Sequence, residues 1–264
     1  PRRRTSTTPL PAPISEAAMR SLIIEPAAGI SGDMFVAAAA SLAECEGEII
    51  ALPPRLGLDR VACRFADATR GGMACRRFFV EEPAAAERHP HRPLAEIMRR
   101  IADAGLDDAV AARAGRMFSL LGEVEAAVHA IPIEQVHFHE VGAVDSIIDI
   151  VAAAVCIERL RIEAVFSGPV CTGFGTVATA HGLLPVPAPA TEKLLQGMPT
   201  FFGPLAGEWT TPTGALILRD LAVGFAVPAL ATAGSVYGGG SADPPERPNL
   251  LRLRLAEPFA AAAE

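Results

Sequence analysis

The stretch Val144–Leu160 constrains the fold of this chain more than any other. Val144, Ile147, Ile148, Val151, Val155 and Leu160 recur at helical spacing, and no formally charged residue stands between Asp149 and Glu158. An apolar stripe of this kind has to be covered by other elements. The chain has the material to cover it: 264 residues, half of them apolar, can close a core without disulfides or a structural metal. Asp149 is the exception within the helix. Its neighbours Ile148, Ile150 and Val151 are apolar, and an acid in such a place is usually paired or functional.

Around this helix the pattern alternates between strands and helices. Leu22–Ile24 reads as a short strand. Gly29, Ser31 and Gly32 make a tight turn, and Asp33 opens an alanine-rich helix to about Ala43. Val61–Thr69 and Met73–Glu82 read as strands joined by a turn at Arg70-Gly71-Gly72. Pro83–Pro93 reads as a linker. Leu94–Ala104 and Asp107–Ala130 are helices separated by Gly105, and Ile131–His139 is extended, broken by Pro132. Helices follow at Pro189–Gln196 and Thr213–Leu221, the latter capped by Thr211 with Pro212 at its first position. Strands near Ala231–Tyr237 and Asn249–Leu255 close the pattern. The expected class is α/β or α+β, a compact cytosolic fold of mixed strands and helices. Residues 1–18 are expected to be a disordered tail, and 19–258 one region with subdomains near 19–130 and 131–258.

Charge and motif chemistry remove several function classes. The net charge is −7, and the first twenty residues hold four Arg against one Glu, so the body is more acidic still. An acidic body gives no footing for a nucleic-acid backbone. The longest run without Asp, Glu, Lys or Arg, Ala164–Thr191, is broken by glycines and prolines and reads as loops and short strands, not a membrane helix. Lys193 is the single lysine, so no P-loop exists. The five cysteines include no Cys-x-x-Cys pair and read as reduced, buried thiols.

Four segments carry candidate chemistry. In His137–Asp149, His137 and His139 lie two apart in an extended run and share a side. Asp145 and Asp149 lie four apart on the next helix and share a face, with Glu140 at the junction. Two imidazoles and up to three carboxylates suit Ni, Zn, Fe or Mn, whereas a capping Asp beside two surface histidines is the plainer account. In Gly29–Met34, a strand, glycine turn and helix can present backbone N–H groups to an anion, or Asp33 instead caps the helix or holds a cation. His181, in the charge-free tract, is a ligand, a general acid/base or a buried hydrogen-bonded residue. Glu208, Thr210, Thr211 and Thr213 stand at a helix start as a phosphate or carboxylate cradle, or simply as its cap. A second His-x-His, His89 and His91, lies in the linker.

These segments, GISGDM (Gly29–Met34), HFHEVGAVDSIID (His137–Asp149), HGLLPVPAP (His181–Pro189) and EWTTPTG (Glu208–Gly214), occur together and in this order. On them the chain resembles the LarC family of nickel-insertion proteins from Met19 to about Leu255, with a weaker glycine-rich mark at Tyr237–Gly240. The resemblance implies insertion of nickel into pyridinium-3,5-bisthiocarboxylic acid mononucleotide, with nickel–sulfur and nickel–carbon bonds, to give the cofactor of lactate racemase-type enzymes. It implies a lyase of the chelatase type that uses CTP with Mg²⁺ or Mn²⁺. The family's separate C-terminal region carries the CTP site and is expected to be missing here. The implied partners are the nucleotide substrate and a nickel-pincer-dependent apoenzyme, with no nucleic acid and no membrane; further copies of the chain are an open option. Either a separate CTP-binding polypeptide supplies the CTP site or the chain is an incomplete or nickel-only version. The candidate metal ligands are then His137, His139, Glu140, Asp145 and Asp149. The candidate catalytic groups are Asp33, His181, Glu208 and Thr211, and Gly29, Ser31, Gly32, Thr210 and Thr213 bind substrate. A nickel-binding chaperone without catalysis and a metal-dependent phosphohydrolase remain as alternatives. The sequence departs from the family at Glu25-Pro26, at Ser241-Ala242-Asp243 and in the His-poor tract around His89.

Overall fold

The structure, a computed structural model, describes residues 20–82, 92–138, 144–179, 181–221, 224–227 and 230–258. The tail, His89, His91, His139 and Glu140 lie outside the described residues.

Six strands form the main sheet: β1 (Ser21–Glu25), β2 (Ala62–Arg70), β3 (Met73–Glu81), β4 (Ala164–Ser167), β5 (Leu230–Gly239) and β6 (Leu250–Pro258). Their order is β2-β3-β5-β6-β1-β4, so strands from both halves of the chain interleave. β1 is parallel to β4, with Leu22 opposite Val165, and antiparallel to β6, with Ile24 opposite Leu253. Its side chains Leu22, Ile23 and Ile24 are buried, as befits a strand with neighbours on both edges. β2 and β3 form the expected hairpin. Gly71 and Gly72 both take positive φ there, which a tight two-residue turn between twisted strands requires.

Among the described residues eight α-helices accompany the sheet: α1 (Gly32–Ala43), α2 (Glu46–Ile50), α3 (Leu52–Arg55), α4 (Leu94–Asp103), α5 (Asp108–His129), α6 (Val144–Leu160), α7 (Pro189–Leu194) and α8 (Pro212–Leu221). α1 lies on β3, β5 and β6 and packs against α6. The fully buried Ala37–Ala40 let these layers approach closely. α6 is covered in turn by α5 and α8. Thirteen of its 17 residues are buried, Asp149 among them. The helix is therefore enclosed on nearly every side rather than along one stripe.

Two local readings change. Ile131–His139 is not one extended run: Ile133–Gln135 form a 3₁₀ turn, because Pro132 sets its entry and Gln135 N–H donates to the Pro132 carbonyl. Only His137–Phe138 pair as a short strand, against Arg92–Pro93. α2 and α3 fill a stretch without a clear helical period. Pro53 and Pro54 sit in the first turn of α3, where a missing N–H costs nothing. No helix among the described residues is long and apolar enough to cross a membrane.

Candidate functional site: an acidic cavity at three helix N-termini

α1, α6 and α8 begin at the same place. Thr211 N–H donates to the Ile30 carbonyl at 3.1 Å, which ties the residue before α8 to the residues before α1. The contact is close enough to exclude a side chain at Gly214, where a Cβ would stand 2.1 Å from the Ile30 carbonyl oxygen. Gly32 makes the matching approach between α1 and α6: a Cβ there would lie 2.4 Å from Asp149 Oδ2. Small residues at these helix starts thus bring three N-termini to the rim of one cavity of about 740 Å³.

The N-terminal turns supply most of the polar lining: Ser31–Asp33 from α1, Asp145, Ser146 and Asp149 from α6, and Thr211 and Thr213 from α8. Glu208 and Trp209 border it ahead of α8, Arg77–Val80 of β3 form another wall, and Gly240–Ala242 with Asn249 close it between β5 and β6. Thr211 caps α8 as expected, its Oγ1 accepting from Gly214 N–H at 3.2 Å. Ser31 Oγ donates to Asp33 Oδ1.

The electrostatics centre on Asp149. It is only 8% exposed, and its Oδ1 has no hydrogen-bond partner among the described residues. Burial, reinforced by the charges of Asp33 and Asp145, holds its carboxyl well above the usual carboxylate range. Burial also raises Asp33, against hydrogen bonds from Ser31 and Met34 and the charge of Arg77. The effect reaches Cys63, whose thiol is pushed up to about 12 by burial and by Asp149. Neighbouring acids that resist ionising suit a site that takes up a cation, which would supply the charge they lack.

The structure thus gathers Ser31, Gly32, Asp33, Asp145, Asp149, Glu208, Thr211 and Thr213 around one cavity. Other candidates stand apart. His137 is exposed, and its Nδ1 lies 2.9 Å from the Gln135 carbonyl. His181 is exposed at the turn between the paired segments Thr176–Thr179 and Gly182–Pro185, its ring 4.9 Å from that of His129. The part of the charge-free tract that carries it, Thr176–Thr179 paired with Gly182–Pro185, forms a surface hairpin, while Ala164–Ser167 of the same tract is a strand of the main sheet. Thr210 is buried behind the cavity wall and donates from Oγ1 to the Cys171 carbonyl at 2.7 Å. Gly29 is fixed by close approach to Trp209 at φ +93°. Among the described residues, no group of three His, Cys, Asp or Glu side chains is disposed to hold a metal ion. Arg77 and Asn249 also line the cavity and carried no signal in the sequence, and Trp209 lines it as a member of the EWTTPTG segment to which the sequence assigns no role.

Comparison with known proteins gives this geometry a context. A protein of Geobacter sp. (strain M21) named "Putative nickel insertion protein" is 46% identical over 235 residues, covering 87% of this chain and 60% of that protein. One of Geobacillus kaustophilus, named "Pyridinium-3,5-bisthiocarboxylic acid mononucleotide nickel insertion protein", is 37% identical over 247 residues, covering 90% and 60%. The chain spans about 60% of the length of these relatives. No solved structure matches it. The family described as nickel insertion protein matches residues 22–264, and the chain belongs to that family.

Proposed function

We propose that this chain inserts nickel into a pyridinium mononucleotide bearing two thiocarboxylate groups, and that the cavity at the three helix N-termini is where metal and nucleotide meet. The observation that carries the reading is Asp149: a buried carboxyl without a partner for Oδ1, beside Asp33 and Asp145, on the wall of a cavity large enough for a nucleotide. A relative 37% identical over 247 residues is named for that reaction.

Nickel is here the cargo. Asp33, Asp145 and Asp149 offer oxygen donors at the cavity. His137, His139 and Glu140 precede α6 in sequence and are not counted in this donor set, because His137 stands apart from the cavity and the other two lie outside the described residues. Oxygen and imidazole donors hold Ni²⁺ less firmly than a closed thiolate cage, so the ion can pass to softer sulfur on the substrate. Formation of a nickel–carbon bond replaces a ring C–H bond, and the proton released needs an acceptor. Asp33 and Asp149, whose carboxyls are held above the usual range, are suited to take it. Ser31, Thr211, Thr213 and Glu208 hold the nucleotide through hydroxyls, a carboxylate and helix N-termini.

The dependence on CTP with Mg²⁺ or Mn²⁺, the classification as a lyase, a cytoplasmic location and hand-over to a nickel-pincer-dependent apoenzyme belong to this proposal as features of the whole family protein. No residue of this chain is assigned to CTP. The test is transfer. The chain is loaded with one equivalent of Ni²⁺ and mixed with the thiocarboxylated mononucleotide, with and without CTP and Mg²⁺, and the nickelated product is followed by mass spectrometry. Product from the natural sequence and none from Asp149→Asn supports the reading. Equal product from both overturns the site.

A further inference from the structure

We propose that Arg77 seats the phosphate of the mononucleotide in this cavity, at the wall opposite in charge to the acidic helix starts. The proposal rests on the nucleotide reading above and adds to it the residue and the ligand group.

Four carboxylates border the cavity: Asp33, Asp145, Asp149 and Glu208. Among its described lining residues, Arg77 is the single cation. A phosphate dianion entering this space is repelled by the carboxylates, so Arg77 sets where it can settle. Arg77 is also left available. No carboxylate of the described residues comes within 4.0 Å of its guanidinium nitrogens, and Asp33 acts on it only through space. Its neighbour Arg76, on the opposite face of β3, is by contrast bound to Glu46 at 2.6 Å and to Asp67 at 2.8 Å. Arg70, on the same sheet, is committed to the Gly240 carbonyl through two donors.

Leaving a guanidinium in this state costs stability. Its Nε is buried and has no hydrogen-bond partner, and burial and the charge of Arg70 both disfavour its cationic form. The arrangement makes physical sense if an anion completes it. The group is also held in place: its Cζ lies over the Phe79 ring, 4.3 Å from its centre. A planar fork of donors matches two oxygens of a phosphate, as an ammonium does not. The N-terminal turns of α1 and α8 add backbone donors to the same cavity. Seating the phosphate at Arg77 also keeps its oxygens from competing for the nickel held by the acids.

The experiment compares nicotinate mononucleotide, a pyridinium nucleotide with one phosphate, with nicotinate riboside, which lacks it. Binding to the full chain is measured by calorimetry for the natural sequence, Arg77→Gln and Arg77→Lys. The natural sequence should bind the nucleotide about tenfold or more tightly than the nucleoside, the scale of a charge-assisted bidentate contact. Arg77→Gln should close that gap by weakening the nucleotide alone, and Arg77→Lys should keep part of it. Ribose 5-phosphate should displace the nucleotide from the natural sequence. Ni²⁺ affinity should not fall in Arg77→Gln, because removing a positive charge beside the acids cannot weaken a cation. Equal binding of nucleotide and nucleoside to the natural sequence overturns the proposal. So does a gap that survives Arg77→Gln, or an equal loss for both ligands. Nickel transfer is read separately: an Arg77-dependent phosphate gap without transfer refutes the insertion reading and leaves the phosphate seat standing, and transfer without the gap does the reverse.

Discussion

Asp149→Asn is expected to make the protein more stable and less able to hold nickel. The side chains have the same shape, so packing against Gly32 is kept. What changes is charge. Asp149 has an ordinary value of 3.8, and burial with Asp33 and Asp145 nearby raises it well above that in the fold. Over the pH window between the two values the native chain keeps a proton that the unfolded chain has lost. Stability therefore falls as pH rises through this window and levels off above the folded value. Asparagine does not titrate and escapes the fall. A buried charged oxygen without a partner costs on the order of 2 kcal/mol, or roughly 4–8 °C in Tm for a chain of this size. The variant should match the natural sequence near pH 4 and exceed it by about that amount at pH 7. The assay is urea unfolding from pH 4 to pH 8, with Ni²⁺ binding measured on the same samples. A variant less stable than the natural sequence at pH 7, or a difference that does not grow with pH, refutes the reasoning.

Three further outcomes follow from the packing. Gly214→Ala should cost about 1–3 kcal/mol or more in urea unfolding, since its Cβ meets the Ile30 carbonyl at 2.1 Å. Thr210→Val should cost about 1–2 kcal/mol in the same assay, because the buried Cys171 carbonyl loses its 2.7 Å donor. Cys63, buried and with its thiol near 12, should stay unmodified when the native protein is treated with an aromatic disulfide reagent at pH 8, and react on unfolding.

Much of the frame was legible in the chain because local patterns and tertiary packing agree. The strand at Leu22–Ile24, the Gly-Gly hairpin and the helix at Val144–Leu160 all stand where periodicity puts them. Asp149 was conspicuous as an acid inside an apolar helix, and Asp33 as an acid after a glycine turn. Other features depend on contacts between residues far apart in sequence. The Thr211 to Ile30 hydrogen bond, which sets α8 beside α1, leaves no trace at either position. Arg76 and Arg77 are adjacent and chemically identical. Only the alternation of the strand in three dimensions gives one to Glu46 and Asp67 and leaves the other at the cavity. His181 shows the opposite case, a residue prominent in sequence because its surroundings lack charge, yet carried to the surface by a short hairpin.

The central claim is that nickel occupies the cavity where α1, α6 and α8 begin. Crystals of the chain soaked with one equivalent of Ni²⁺ and measured at the nickel absorption edge locate the ion directly. The account predicts one strong anomalous peak within coordination distance of a carboxylate oxygen of Asp149 or Asp33, lost in Asp149→Asn. A peak at His89 and His91, or one elsewhere that survives the substitution, contradicts it.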